Sequence, residues 1–162
     1  TILSYPELEF ERVAVENHIH PDRSFAIEYK GGNDLSMFEL PDNDPIAVFD
    51  TSRVKDYLLL YKRASCETYE LAFEQHQIDS ILALEPSFEI EVTANEPERS
   101  THLRLFLRPA PEGQIDSDGD QREYDNVIMY GTLDGEVLFR VQRYVIDAFL
   151  PPKQAFTGDL DF

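Results

Sequence analysis

The polar segment from Pro111 to Asn126 carries the residues whose spacing comes closest to a cation site. Three aspartates alternate around one glycine in this segment: Asp116, Asp118, Gly119 and Asp120. Hard cations such as Ca²⁺ take several oxygen ligands, and an EF-hand loop also needs a turn glycine at position 6 and a bidentate glutamate at position 12. If the loop starts at Asp116, those positions hold Gln121 and Val127. We therefore predict at most weak cation binding.

The same segment is expected to be a mobile connection between two strands. It is rich in carboxylates and has almost nothing to bury, so ordering its backbone would cost entropy without a hydrophobic gain. We expect it to be weakly ordered, or anchored only near Tyr124.

Histidines offer a second candidate for metal chemistry. His18 and His20 are two residues apart and would share a face of an extended chain, with Asp22 nearby. Two imidazoles and a carboxylate could begin a zinc site, but a third firm ligand is missing. His76 and His102 stand alone, without ligand spacing around them. We therefore predict no metal site and interpret these histidines as surface residues.

Motifs for catalysis or nucleotide binding are absent from the sequence. Cys66 is the single cysteine, which excludes an internal disulfide and favours a small buried side chain. There is no G-x-S-x-G elbow, and Gly31-Gly32 lies in a segment that matches neither phosphate-binding pattern and is typical of a hairpin turn. The sequence thus predicts no enzyme, no catalytic residue and no cofactor.

Charge limits the partners of this chain of 162 residues. The formal net charge is -18, while 42% of the residues are hydrophobic and 12% aromatic. A core of useful size is therefore expected, but nucleic acid and anionic membrane surfaces would be repelled. No apolar window is long enough to span a membrane, so no direct membrane insertion is expected.

Period-two alternation dominates the elements that must position these residues. The clearest strands are predicted in "SFAIEYK", "SFEIEVT" and "THLRLFLR", each with one apolar and one polar face. Glutamates on the polar faces are interpreted as solvated. Weaker strands are expected at Glu9–Glu16, Leu35–Leu40, Cys66–Tyr69, Val127–Thr132 and Glu136–Val141, and Asp134-Gly135 predicts a hairpin turn.

Helical periodicity occurs in three segments. The first runs from about Ser52 to Arg63, with Asp50, Thr51 or Ser52 as its cap and with Val54, Leu58 and Tyr61 facing the core. "QIDSILALE" should present Ile78, Ile81 and Leu82 on one face, and "QRYVIDAFL" should end before two prolines. The pattern predicts one α+β domain over 1-162, a mostly antiparallel sheet with two or three short helices packed on one face.

Four segments carry a resemblance to a known family: "RVAVENHIHPDRSFAIEYK", "FDTSRVKDYLLLYKRASCE", "ILALEPSFEIEVT" and "MYGTLDGEVLFRVQRYVIDAFLPPKQAF". Over roughly Leu8 to Phe156 the chain resembles the domain-of-unknown-function family 4340 of the bacterial envelope. Its members look like membrane-tethered or lipid-anchored proteins associated with ABC-type transport or gliding-motility systems. The resemblance implies no catalytic residues. The family's membrane anchor is not found here, and the acidic insertion Pro111–Asp125 looks longer than usual.

The resemblance implies a non-enzymatic, periplasmic or extracytoplasmic binding or assembly module with a protein partner. Because the chain starts at Thr1 rather than at a methionine, we expect it to be a fragment anchored to the membrane through a segment that is not part of this sequence. The alternative is an acidic inhibitor or mimic that occupies a basic surface of another protein. Net charge alone supports that alternative.

Overall fold

The structure is a computed structural model that describes residues 2–65, 68–69, 74–135 and 137–157. Its strands are β1 (Phe10–Asn17), β2 (Phe25–Tyr29), β3 (Leu35–Glu39), β4 (Asp44–Ile46), β5 (Thr68–Tyr69), β6 (Phe88–Ala94), β7 (Thr101–Pro109), β8 (Tyr124–Leu133) and β9 (Val137–Gln142). Its α-helices are α1 (Thr51–Leu58), α2 (Gln75–Leu82) and α3 (Arg143–Asp147). Among the described residues, no helix is both long and apolar enough to cross a membrane.

The strands form one sheet in the order β4-β3-β2-β1-β6-β7-β8-β9-β5. Two meanders, β1 to β4 and β6 to β9, meet where β1 pairs with β6, and each described pairing is antiparallel. The predicted α+β fold with a mostly antiparallel sheet is confirmed. The short edge strand β4, which contains Pro45, was not predicted.

One face of the sheet carries the main core. The register places Val13 opposite Val92, and Val15 opposite Ile90, with all four side chains buried. Helix α1 and the chain around α3 cover this face, because their apolar residues belong to the same cluster: Val54, Tyr57, Leu58, Ile146 and Phe149. Alternation in the sequence therefore identified the inward residues of the central strands correctly.

Helix α1 begins as predicted, because the Asp50 side chain accepts hydrogen bonds from the backbone N–H groups of Ser52 and Arg53. Its last turn continues as a 3-10 helix over Leu59–Lys62. Val54, Leu58 and Tyr61 are buried, as predicted from their spacing. Asp50 also ties the helix to the C-terminal segment, since its N–H donates to the carbonyl of Phe156.

Helix α2 differs from the expectation. A capping box between Glu74 and Gln77 forms its first turn, but the predicted apolar face of Ile78, Ile81 and Leu82 is not buried, and Leu82 is exposed. Periodicity thus found the helix but not its packing, since local capping can form a helix end without a partner surface.

Several other predictions concern element boundaries. Both predicted hairpin turns have positive φ, at Gly31 and Gly32 and at Asp134 and Gly135. Cys66 and Glu136 lie outside the described residues, so the predicted burial of the cysteine and the starts of two predicted strands are not described. Strand β8 begins at Tyr124, three residues before the predicted start at Val127.

Candidate functional site

The acidic segment between β7 and β8 is a hydrogen-bonded hairpin. Oδ1 of Asp116 accepts the backbone N–H groups of Asp118 and Asp120 at 2.9 and 3.0 Å. Ile115 and Gln121 form an antiparallel bridge below this tip. Short polar side chains thus satisfy the backbone of this turn without any buried apolar surface, and the expected mobility of the segment stays a prediction.

Asp125 anchors this hairpin to the sheet. The residue is 1% exposed, and its carboxylate contacts Arg108 Nη2 at 2.6 Å and Gln114 Nε2 at 3.2 Å. It also accepts the backbone N–H groups of Val127 and Ile128. Burial alone would raise its pKa, but these hydrogen bonds outweigh burial and lower the pKa to about 2. The anchor thus lies next to Tyr124, near where it was expected, but it is the polar side chain of Asp125, while Tyr124 itself is exposed.

The three loop aspartates do not converge as metal ligands. Among the described residues, the group of three that brings carboxylate or imidazole ligand atoms within 4.8 Å of one another is Glu16, His18 and Glu89. Asp116 instead uses one carboxylate oxygen for the backbone of the turn. Weak cation binding at Asp116, Asp118 and Asp120 stays a prediction.

A wide groove lies beside the start of β1. It has a volume of about 790 Å³, and its charged lining is mostly acidic: Glu7, Glu9, Glu11, Arg12, Glu28 and Lys30. Three of the four acids, Glu7, Glu9 and Glu11, come from the alternating sequence "ELEFE", and Glu28 comes from β2. This alternation was a signal for the groove, but the sequence could not show that β2 and β6 would complete its wall.

A β-bulge shapes this groove. The pairing of β1 with β6 shifts between Phe10 and Arg12, so Glu11 is an extra residue in β1. Phe10 and Val13 therefore both point into the core, although they are three residues apart. Between them, Glu11 and Arg12 are both left outside the core, beside the groove.

Charges in the groove are unevenly paired. Arg12 contacts Glu28 at 3.1 Å and Asn43 at 2.8 Å, so this cation is already engaged within the chain. Glu9 lies 3.9 Å from Arg99 through one oxygen, while its buried Oε2 has no hydrogen-bond partner among the described residues. An unpaired buried oxygen costs free energy that a donor could recover.

The set of His18, His20 and Asp22, which the sequence offered as a possible start of a zinc site, is not among the groups of converging ligand atoms in the described residues. The side chain of Asn17 accepts the backbone N–H groups of Ile19 and His20, which turns the chain out of the strand. The shared face expected for an extended chain is therefore lost, and His20 and Asp22 are exposed.

His18 instead joins a cluster on the outer face of the sheet. Its Nε2 atom lies 2.7 Å from Oε2 of Glu89 and 3.5 Å from Oε2 of Glu16. His102 Nε2 lies 3.0 Å from Oε1 of Glu89, and Arg104 Nε lies 3.4 Å from the same oxygen. Four side chains, those of Glu16, His18, His102 and Arg104, thus meet around the carboxylate of Glu89, whose side chain is only 17% exposed.

Two carboxylates in this cluster have opposite pKa shifts. Burial and the nearby Glu89 raise the pKa of Glu16. Burial also disfavours the ionised form of Glu89, but hydrogen bonds with His18 and His102 outweigh burial and lower its pKa. The cluster is therefore an electrostatically coupled group of side chains, and interpreting Glu89 as a simply solvated residue was wrong.

Sequence reasoning missed His102 as a member of this cluster. The alternation of β6 and β7 already placed Glu89, Glu91, His102 and Arg104 on polar faces. Only the pairing of Glu91 with His102 and of Glu89 with Arg104 brings those faces together. The sequence therefore contained the residues of this cluster in two separate segments, but it did not show how the two strands align.

Comparisons with protein-family models, with curated proteins and with solved structures each found no match. The resemblance to the envelope family stays a prediction from the four quoted sequence segments.

Proposed function

We propose that this chain is a non-enzymatic binding module of a bacterial envelope complex, in which the acidic groove beside β1 receives a basic segment of a protein partner. The observation that carries the proposal is the groove of about 790 Å³ with its excess of glutamates. The resemblance to a family of transport-associated or gliding-associated envelope proteins supplies the setting, an extracytoplasmic one. The absence of a catalytic motif from the sequence supports a binding role.

Electrostatics favour a cationic ligand for this groove. Four glutamates line it against two cations, and one of these, Arg12, is held by Glu28 and Asn43. A Lys or Arg side chain of a partner would find carboxylates that the chain itself does not neutralise. A donor that reached Oε2 of Glu9 would also satisfy an oxygen that is otherwise buried and unpaired.

A binding experiment with two matched variants tests the groove. A fluorescently labelled Lys/Arg-rich peptide is titrated with the protein, and anisotropy reports binding at physiological ionic strength. We expect the double variant Glu7→Gln/Glu11→Gln to bind at least tenfold more weakly than the unmodified chain. The control Glu112→Gln/Glu123→Gln removes the same formal charge from the distant acidic hairpin and should bind nearly normally.

Equal weakening by both double variants would contradict the groove as the site. Affinity would then follow net charge, as expected for an acidic mimic that occupies a basic surface. No binding of the basic peptide by the unmodified chain would also refute the proposed ligand.

Cell fractionation tests the proposed setting separately. The natural gene product, detected with an antibody in its own cells, should remain with the membrane fraction and be accessible to protease from outside the cytoplasm. Recovery only in the cytoplasmic fraction would refute the envelope role and favour the acidic mimic.

A further inference from the structure

We propose that Glu16, His18 and Glu89, with His102 beside them, form a binding site for Zn²⁺ on the outer face of the sheet. The first three residues place one ligand atom each within 4.8 Å of one another. In a tetrahedral zinc site with bonds of about 2.0–2.1 Å, neighbouring ligand atoms lie roughly 3.3 Å apart. The distances from His18 Nε2, 2.7 Å to Glu89 and 3.5 Å to Glu16, lie on either side of that spacing.

Strand register holds these ligands in place. Glu16 of β1 lies directly opposite Glu89 of β6, and Glu91 of β6 lies opposite His102 of β7. His18 follows the end of β1, where its backbone N–H donates to the carbonyl of Ser87. The donor atoms therefore come from a rigid hydrogen-bonded sheet and a tied strand end, which limits the rearrangement that a metal would require.

Charge also favours a cation at this position. Two glutamates directly opposite each other on one face of a sheet repel, and Glu16 faces Glu89 in this way. Arg104 is the nearest permanent cation to Glu89, at 3.4 Å, but its side chain is 47% exposed. A divalent ion between Glu16 and Glu89 would replace repulsion by two coordinate bonds.

A small cavity adjoins the ligands. It measures about 20 Å³ and is bounded by Ala14, Glu16, Glu89, Glu91 and His102. This volume is enough for one water-sized particle. Because Ala14 has the shortest side chain among these residues, it leaves the space open between carboxylates and an imidazole.

Ligand chemistry selects zinc over calcium or magnesium. Imidazole nitrogen suits Zn²⁺, whereas Ca²⁺ and Mg²⁺ prefer oxygen ligands alone. His102 Nε2 lies 3.0 Å from Glu89, close enough to serve as the fourth ligand after a side-chain rotation. Two carboxylates and two neutral imidazoles would then balance the charge of the ion and close its coordination shell.

Metal titration of the whole chain tests the site. Protein stripped with a chelator is titrated with ZnCl₂ by calorimetry, and with CoCl₂ while visible absorption is recorded. We expect one zinc per chain with micromolar or tighter affinity, no comparable heat with MgCl₂, and the intense d–d bands of tetrahedral Co²⁺.

Variants assign the ligands. His18→Ala and Glu89→Gln should each weaken zinc binding at least tenfold and remove the cobalt bands, while His102→Gln should change the band shape. His20→Ala is the matched control, because His20 is an exposed histidine two residues from His18 and outside the cluster. It should bind zinc normally. Circular dichroism on each variant separates lost ligands from lost folding, and Glu16→Gln gives a second independent ligand removal.

Two results would overturn the proposal. One is the absence of saturable zinc binding by the unmodified chain, which would leave the cluster as a network of ion pairs. The other is equal weakening by His18→Ala and His20→Ala, which would indicate nonspecific surface binding. Groove variants such as Glu7→Gln/Glu11→Gln should bind zinc normally, so this proposal and the proposed function can fail separately.

Discussion

Asp125 and Glu89 are two carboxylates held on the same sheet by different surroundings. Asp125 accepts two backbone N–H groups and the side chains of Arg108 and Gln114. Glu89 has no backbone donor among its described hydrogen bonds, and its partners are two histidines, an arginine and a facing glutamate. Asp125 is 1% exposed, while the side chain of Glu89 remains 17% exposed.

This difference separates a structural carboxylate from a candidate ligand. Backbone donors are fixed by the fold, so Asp125 has its charge fully compensated and holds the acidic hairpin in place. The partners of Glu89 are side chains that can rotate, and Glu16 adds a second negative charge beside it. We infer that removing Asp125 damages the fold, whereas removing charge from the Glu89 cluster changes binding with little effect on stability.

The largest expected effect is from Asp125→Ala. It leaves Arg108 and two backbone N–H groups without their carboxylate, and breaking such a buried pair costs about 3–5 kcal/mol of unfolding free energy. Urea unfolding measures this change, and Asp125→Asn, which keeps the size and one oxygen, should lose less. A loss below about 1 kcal/mol for the alanine variant would show that Asp125 does not anchor the hairpin.

The contribution of Asp125 to stability should also depend on pH in the acid range. Because the folded pKa of Asp125, about 2, lies below its ordinary value, its ionised form stabilises the fold above about pH 4, and that stabilisation is lost as the pH falls towards 2. Its size is about 2 kcal/mol. Unfolding free energies at several pH values should fall more steeply for the unmodified chain than for Asp125→Asn. Parallel curves would contradict this prediction.

A smaller effect of the opposite sign is expected for Glu16→Gln without metal. The substitution removes a like charge directly opposite Glu89 and should raise the unfolding free energy by about 0.2–1 kcal/mol. Unfolding free energies of the unmodified chain and of the variant, both measured in the presence of a chelator, test this change. Glu7→Gln is the control for the change in net charge. A clear loss of stability would mean that Glu16 is needed in the cluster even when no cation is bound.

The smallest effect concerns the tip of the acidic hairpin. Replacing Asp116–Asp120 by Asn-Gly between Ile115 and Gln121 keeps the bridge and supplies a two-residue hairpin turn. Stability should change by less than about 0.5 kcal/mol, because closure entropy depends weakly on loop length.

A longer deletion is the comparison for this tip replacement. Extending it to include Gln114 removes both the Ile115–Gln121 bridge and a hydrogen-bond partner of Asp125, and should cost more. Equal losses of unfolding free energy in the two deletions would show that the residues next to the anchor add no stability beyond that of the tip.

Local sequence patterns predicted a large part of this protein. Alternation identified most strands and the inward direction of residues such as Ile90 and Val92 in "SFEIEVT", because the direction of a side chain in a strand is fixed by its period of two. Three possible caps, Asp50, Thr51 and Ser52, predicted the region where α1 starts, and Asp50 is the one whose side chain satisfies neighbouring N–H groups. The sequence also determined the net charge of -18, and with it the expected electrostatic repulsion between this chain and nucleic acid.

Tertiary structure decided which polar residues meet. His18 and Glu89 are separated by 71 positions, and strands β2 to β5 with helices α1 and α2 lie between β1 and its partner β6 along the chain. Period two assigns a side chain to a face but does not specify the neighbouring strand or its register. For that reason the sequence showed isolated histidines and solvated glutamates, and the folded sheet brings them together in one cluster.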